Sequence, residues 1–265
     1  MEWEEGGKNS IDGNIQGTNT VNRSDDGSYI SLRKSNENGV FNKLTFYHDS
    51  LVIEYEDPFT IQSVAISNDG IAICSTYREN VGTAVRMLEV SESGVVQLQT
   101  KIGPGMGRDV SIASTTDKAV ISDPVKEEVY IYYLSTTFTL LQDSMITLRA
   151  PPSMAGKKFG EKVGLSTTGK ALAVAAPGYE SSDGKVVGAV LLYLYDSDTN
   201  EWEEMGSVIY GDDDRLGIGG GGVTASDIYK RVDANDSAGN RASYQVSYPD
   251  FVISLFQIIT TGRCH

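Results

Sequence analysis

The sequence predicts an all-β protein assembled from repeated four-stranded antiparallel units, and three observations carry that reading. Short apolar-alternating runs follow one another with no competing helical period. Polar turn residues punctuate them at close intervals. One strand-turn-strand pattern recurs: SVAISNDGIAICS at 63–75, DVSIASTTDKAVISDP at 109–124 and KVGLSTTGKALAVAAPG at 162–178. Its anchor valines Val64, Val110 and Val163 lie 46 and 53 residues apart, the length of one supersecondary unit.

The first two strands of each unit meet at a turn of Ser with Asn, Asp, Thr or Gly, residues that accept positive φ or cap the backbone with a side-chain oxygen. A loop leads to a third strand of period two: TAVRMLEV (83–90), EVYIYYLS (128–135) and GAVLLYLYD (188–196). A more polar fourth follows: VVQLQTKIG (95–103), FTLLQDSMITL (138–148) and EWEEMGSVIYG (201–211). Four short strands per 45–55 residues, graded from apolar inner to polar outer, predict propeller blades. Inner strands pack against neighbouring blades near the axis, whereas the fourth meets water along its edge.

The template extends outward in both directions. TVNRSDDGSYISL (20–32), GVFNKLTFYHDS (39–50) and LVIEYEDPF (51–59) form an earlier unit, with Val21 placed 43 residues before Val64. VTASD, YKRVDA, RASYQVSY and FVISLFQII, within 223–259, form a later one. The expected architecture is a single β-propeller domain over 1–265, with blades near 18–59, 60–104, 106–150, 157–211 and 217–260. Residues 1–13 contain EWEEGGKNSIDG, which resembles EWEEMGSVIYG with Trp3 matching Trp202, so they read as the outer strand of a preceding or closing blade. A closed five-bladed ring and a fragment of a six- or seven-bladed one both fit, and a terminal strand that completes a blade removes exposed edges.

Thirty-six acidic against 22 basic residues give a net charge of −14. An acidic chain repels phosphate backbones, which argues against nucleic acid as a partner. Solubility is the first reading of the excess and cation binding the second. Cys74 and Cys264 are too few for a disulfide framework. Cys74 sits in an apolar run as a small hydrophobe, and whether the two pair stays open. His48 and His265 lack metal-ligand spacing. No 18-residue apolar run exists, so no membrane span is expected. MEWEEGGKNS has neither a basic region nor an apolar core, so it reads as the middle of a repeat rather than a signal peptide.

Residues 158–211 carry a family resemblance. Phe159-Gly160, Ala176-Pro177-Gly178 (with Ala175 in place of a glycine), Gly188-Ala189-Val190 followed by Tyr193-Leu194-Tyr195, and Trp202 to Gly211 occur in that order. This unit resembles the FG-GAP repeats of integrin α-subunit propellers, and more closely the related repeats of bacterial and algal extracellular proteins. Over 60–150 only Met106-Gly107 and Asp123-Pro124 echo the motif. The resemblance implies a non-catalytic interaction module, of adhesion or scaffold type, with a protein or glycan partner. It implies an extracellular or cell-surface setting if the chain is part of a longer secreted protein. Many such repeats carry a calcium loop, Asp-x-Asp-x-Asp-Gly, between the first two strands. The corresponding loops here, NRSDDGS (22–28), SNDG (67–70), STTD (114–117) and STTG (166–169), hold too few carboxylates for a hard cation. No cofactor or metal site is therefore expected from that source.

Candidate contact residues cluster on one face of the expected disc. The loop after the second strand supplies Tyr179, Glu180 and Asp183 in one blade and Asp123, Glu127 and Glu128 in another. Asp212, Asp213 and Asp214, between two blades, would surface beside them and are the one candidate for calcium, although consecutive loop residues do not all face one ion. Gly219 to Gly222 lacks the Lys and following helix of a phosphate loop and reads as a flexible entry to the last blade. Asp109 and Glu161, at the starts of innermost strands, are the sole carboxylate pair suited to glycoside chemistry, with capping the stronger reading. No Ser-His-Asp set is available, and the clustered tyrosines (Tyr130, Tyr132, Tyr133, Tyr193, Tyr195) read as inter-blade packing. Asn22-Arg23-Ser24 and Asn235-Asp236-Ser237 are glycosylation sequons. The alternatives to a binding module are a carbohydrate- or phosphate-active propeller enzyme, which two convergent carboxylates in the central tunnel would favour, or an incomplete gene product without independent function.

Overall fold

The computed structural model describes residues 21–34, 40–80, 82–103, 106–115, 117–205, 208–211, 218–220, 222–226, 231–236, 241–245 and 257–258. The outer strand read at 1–13, Asp212 to Asp214, Cys264 and His265 lie outside them. Five antiparallel sheets stand in a ring, making a five-bladed β-propeller. Blade 1 holds β1 (Val21–Arg23), β2 (Tyr29–Lys34), β3 (Lys43–His48) and β4 (Leu51–Glu56). Blade 2 holds β5 (Thr60–Ile66), β6 (Ile71–Arg78), β7 (Gly82–Ser91) and β8 (Gly94–Gly103). Blade 3 holds β9 (Val110–Ile112), β10 (Lys118–Asp123), β11 (Glu128–Tyr133) and β12 (Ile146–Arg149). Blade 4 holds β13 (Lys162–Leu165), β14 (Ala171–Ala176), β15 (Ala189–Asp196), β16 (Glu201–Glu204) and β17 (Ile209–Tyr210). Blade 5 holds β18 (Gly222–Ser226), β19 (Arg231–Asn235), β20 (Arg241–Gln245) and β21 (Gln257–Ile258). Strands pair in chain order, as tight hairpins dictate.

The core is divided among the seams between blades. Successive side chains on a strand point to opposite sheet faces, so each blade feeds two seams. Along β14, Leu172, Val174 and Ala176 pack toward blade 3, while Ala171, Ala173 and Ala175 pack toward blade 5. Two further clusters fill the seams of blades 1 and 2 and of blades 2 and 3. Each fully buried Val, Leu or Ile contributes about 1.5–3 kcal/mol. The tyrosines follow this plan: Tyr130 and Tyr132 sit in one seam and Tyr193 in another. At the seam of blades 4 and 5 the small residues have a purpose. A Cβ on Gly164 would stand 2.8 Å from the Thr224 Cα, so only glycine lets β13 and β18 approach.

Three expectations change in detail. The second strand, not the first, is the most buried: every residue of β10 and β14 is buried, because the first strand turns one face to the central channel. The outer strand expected at 138–148 shrinks to β12. Ser135 Oγ accepts the backbone N–H groups of Thr137 and Thr139 at 3.2 and 3.0 Å, and Phe138 takes a φ of +56°. That local capping turns the chain before it can pair. The outer strand expected at 201–211 is two pieces, β16 and β17, on opposite ends of β15.

A buried ion pair fastens blade 1 to blade 2. Asp57, fully buried on the link between them, accepts two hydrogen bonds from the Arg86 guanidinium, one from Tyr55 and one from the Phe59 backbone N–H. The Arg86 guanidinium also reaches Thr100 Oγ1 at 3.0 Å and lies 5.5 Å from the Phe59 ring centroid. Desolvation of Arg86 is outweighed by these bonds to Asp57, so its pKa stays raised.

Candidate functional site

Strand direction alternates within a blade, so loops joining strands two and three emerge on the same side as the links between blades. We term this the loop face, and the opposite side, which carries the other two hairpin turns of each blade, the turn face.

The predicted contact residues in blades 3 and 4 all lie on the loop face, and each is engaged. Asp123 is fully buried; its Oδ1 accepts the Lys126 N–H, and its Oδ2 faces the Lys126 ammonium at 3.3 Å without hydrogen-bond alignment. Glu127, with a left-handed φ of +56°, reaches across to accept the backbone N–H groups of Gly156 and Lys158 at 2.8 and 3.2 Å. Glu128 pairs with Arg149 at 2.9 Å and accepts the Tyr130 hydroxyl at 2.7 Å. The Arg149 hydrogen bond, then that of Tyr130, holds the Glu128 carboxyl below its usual range. Glu180 faces Lys157 at 3.5 Å, Tyr179 packs at a tilt against Tyr210 with centroids 4.7 Å apart, and Asp183 pairs with Lys185 and Ser181. Glu127 and Glu180 thus meet the same 156–158 segment from two blades, while Asp183 stands apart. Most of these carboxylates are spent on holding loops in place.

What sequence reading missed on this face is apolar. Val40, Tyr77, Val125 and Val186 are exposed, one in each of blades 1 to 4, at the ends or loops of strands two and three, and Tyr210 on β17 of blade 4 adds a fifth. Val125 is the extreme case at 83% exposed. A valine inside the polar stretch DPVKEE was a legible signal, because nothing local buries it.

The central channel has a volume of about 590 Å³ and is lined by the first strands of all five blades. Its acidic residues are Asp25, Asp109 and Asp233, and each has a protein partner. Asp109 ties three blades: it accepts Ser63 Oγ at 2.6 Å and the Val163 N–H at 3.0 Å, with the Lys162 ammonium at 3.6 Å. Glu161, the other member of the expected carboxylate pair, is bound at 2.9 Å to Arg108 and does not line the channel. Asp109 faces the channel as an inter-blade tie, and Glu161 is held by Arg108 outside the channel lining. Both sequon asparagines, Asn22 and Asn235, line the channel.

The turn face differs in charge. Asp25, Asp26, Asp49, Asp69, Glu92, Asp117, Asp143 and Asp198 lie in its turns, against Arg23, Lys118 and Lys170 beside them. Burial, then the fields of Asp49, Asp69, Asp26 and Glu92, raises the pKa of Tyr29, which stacks on His48 with centroids 4.2 Å apart. Among the described residues no three His, Cys, Asp or Glu side chains converge to hold a metal ion. Nor is any described helix long and apolar enough to cross a membrane.

The fold and channel define the class of protein, a five-bladed β-propeller with an open polar axis. No family model matches the chain, and no curated protein does. Solved structures do. A functionally unknown protein from Desulfotomaculum acetoxidans aligns with TM-score 0.64 at 12% identity, over 89% of this chain and 68% of that one. A protein from Lactobacillus plantarum aligns with TM-score 0.57 at 14% identity, over 90% and 70%. The β-propeller domain of Cps50 (Swd1) from Myceliophteria thermophila aligns with TM-score 0.56 at 10% identity, over 88% and 70%. At these identities the likeness is one of fold.

Proposed function

We propose that this propeller is a non-catalytic binding module that engages a macromolecular partner through its loop face. The observation that carries the reading is the row of exposed apolar side chains, Val40, Tyr77, Val125, Val186 and Tyr210, on one face and around one axis. Isolated exposed apolar residues are ordinary, but a set gathered on one face marks an interaction surface. The charges around them support it. Lys126, Arg149, Lys157 and Lys185 each face a carboxylate, so a partner would meet little unbalanced charge while covering the apolar positions. The channel carboxylates, each held by protein donors, favour binding over glycoside chemistry. The FG-GAP resemblance of residues 158–211 points to adhesion or scaffold roles with a protein or glycan partner.

The test is affinity capture with chemical cross-linking from the native source, run with the parent chain, with Val125→Glu/Val186→Glu and with Asp49→Asn/Asp198→Asn. A partner captured by the parent and the turn-face variant but lost from the loop-face variant supports the proposal. A partner lost only from the turn-face variant would sink it.

A further inference from the structure

The channel goes beyond this reading, because its construction is that of a recess rather than a gap. Several residues that face it along the first strands are small, Ser63 and Ala65 on β5, Ser111 on β9 and Thr224 on β18, beside the longer Arg23, Gln62 and Lys162. The large residues of the same strands, Val64, Val110 and Val163, turn sideways into the seams. At the turn face the recess is bridged. Ser114 Oγ hydrogen-bonds to Asp25 from across the ring, and the Ser114 N–H donates to the Thr167 carbonyl at 3.0 Å. At the loop face stand Asp109 and Lys162. The carboxylate is fixed by Ser63 and the Val163 N–H, whereas the ammonium sits 3.6 Å from it, beyond hydrogen-bond distance, on a side chain 28% exposed.

Three features select a ligand chemistry. Arg23, Arg33 and Lys162 balance Asp25, Asp109 and Asp233, so a ligand with net charge would leave an uncompensated charge inside the ring. Among the described residues no aromatic side chain lines the recess, so those residues offer little stacking to a sugar ring or a nucleobase. What remains is an opposite-charge pair at the mouth with hydroxyls below it. Ser111 Oγ accepts the Leu165 N–H at 3.0 Å, which leaves its own proton to donate inward. We propose that the channel binds a small zwitterion, its carboxylate taken by Lys162 and its cationic end directed to Asp109, with Ser111 and Thr224 in reach of its polar atoms. Binding would exchange one loose ion pair for two charge-assisted contacts.

Isothermal titration and thermal-shift measurements on the full chain provide the test, with glycine betaine and free α-amino acids as zwitterions, glycerol and sorbitol as neutral polyols, and acetate as an anion. The expected result is saturable binding of at least one zwitterion and none of the others. Lys162→Gln should weaken it tenfold or more, and Thr224→Phe should abolish it by filling the recess from an exposed position. Circular dichroism of both variants separates lost binding from lost folding. No zwitterion binding at 50-fold molar excess and millimolar concentration, equal binding by Lys162→Gln, or a response to polyols or acetate alone would each overturn the proposal, leaving a water-filled channel or a different ligand class. Capture of a macromolecular partner is unaffected by Thr224→Phe, so failure of this inference is distinguishable from failure of the loop-face reading.

Discussion

The loop face and the turn face of this ring handle charge in opposite ways. On the loop face lysines and arginines alternate with carboxylates and pair with them, as Arg108–Glu161, Lys126–Asp123, Arg149–Glu128 and Lys157–Glu180 do. On the turn face the described carboxylates outnumber the described cations, and Lys118 pairs there with Asp117. Five of the exposed apolar side chains, Val40, Tyr77, Val125, Val186 and Tyr210, share the face of the paired charge, while Val52 and Val96 are exposed on outer strands and Leu141 before β12. The net charge of −14 is therefore not a uniform coat. Among the described residues, an excess of carboxylates over cations lies in the turns of one face.

The largest expected effect tests whether loop-side pairing is structural. Asp57→Ala leaves the Arg86 guanidinium buried without its carboxylate and should cost about 3–5 kcal/mol of unfolding free energy in urea denaturation. Asp49→Ala on the turn face should stay within about 0.5 kcal/mol. Equal costs would erase the distinction between the faces.

The second effect concerns the seams between them. Burial, with Asp57 adding to it, pushes the Cys74 thiol up to about 12, and burial pushes the Tyr132 phenol up to about 12. A raised pKa on an acid means stability that is present below the unfolded value and lost as pH rises toward the folded one. For Cys74 that window runs from about 9 to about 12, at up to about 1.4 kcal/mol per pH unit. Cys74 should be silent to a thiol reagent at pH 8 until the chain unfolds, and Cys74→Ser should flatten the alkaline limb of a pH-stability curve. A thiol that reacts at once in the native state would show that the seam opens.

A third effect is smaller and belongs to the loop face. The Glu128 pKa is lowered, so its pairing contributes above the unfolded value near 4.5 and is lost as pH falls through the folded one. Because Arg149 is 78% exposed, Glu128→Gln should cost less than about 1 kcal/mol at pH 7. The difference from the parent should vanish in acid. The smallest effect is ionic. Added salt should raise the Tm of the parent by screening the turn face, and should raise it less in Asp49→Asn/Asp69→Asn/Glu92→Gln.

The strand plan was legible because it rests on local periodicity. SVAISNDGIAICS became β5 and β6 around a turn where Gly70 takes a φ of +76°, as its Asp-Gly chemistry predicts. Where the reading slipped, a nearby side chain had overridden the alternation, as Ser135 does in the 138–148 stretch. The site was less legible. Glu127 and Glu180 look like contact residues in sequence, and the fold spends both on the 156–158 segment, which lies more than twenty residues from each. Asp109 could be suspected, but not that Ser63 and Val163, 46 residues before it and 54 after, are the donors that occupy it.

By itself the sequence determined the strands, their order and the sign of the overall charge, since these depend on side-chain alternation, turn residues and composition. Only the tertiary structure decided that five blades meet around one axis. It also decided that Val40, Val125 and Val186 share one face with the paired charge, and that small residues leave a recess with Asp109 and Lys162 at its mouth. Those features join residues a blade or more apart in the chain, and no local pattern specifies which loops a closed ring will bring together.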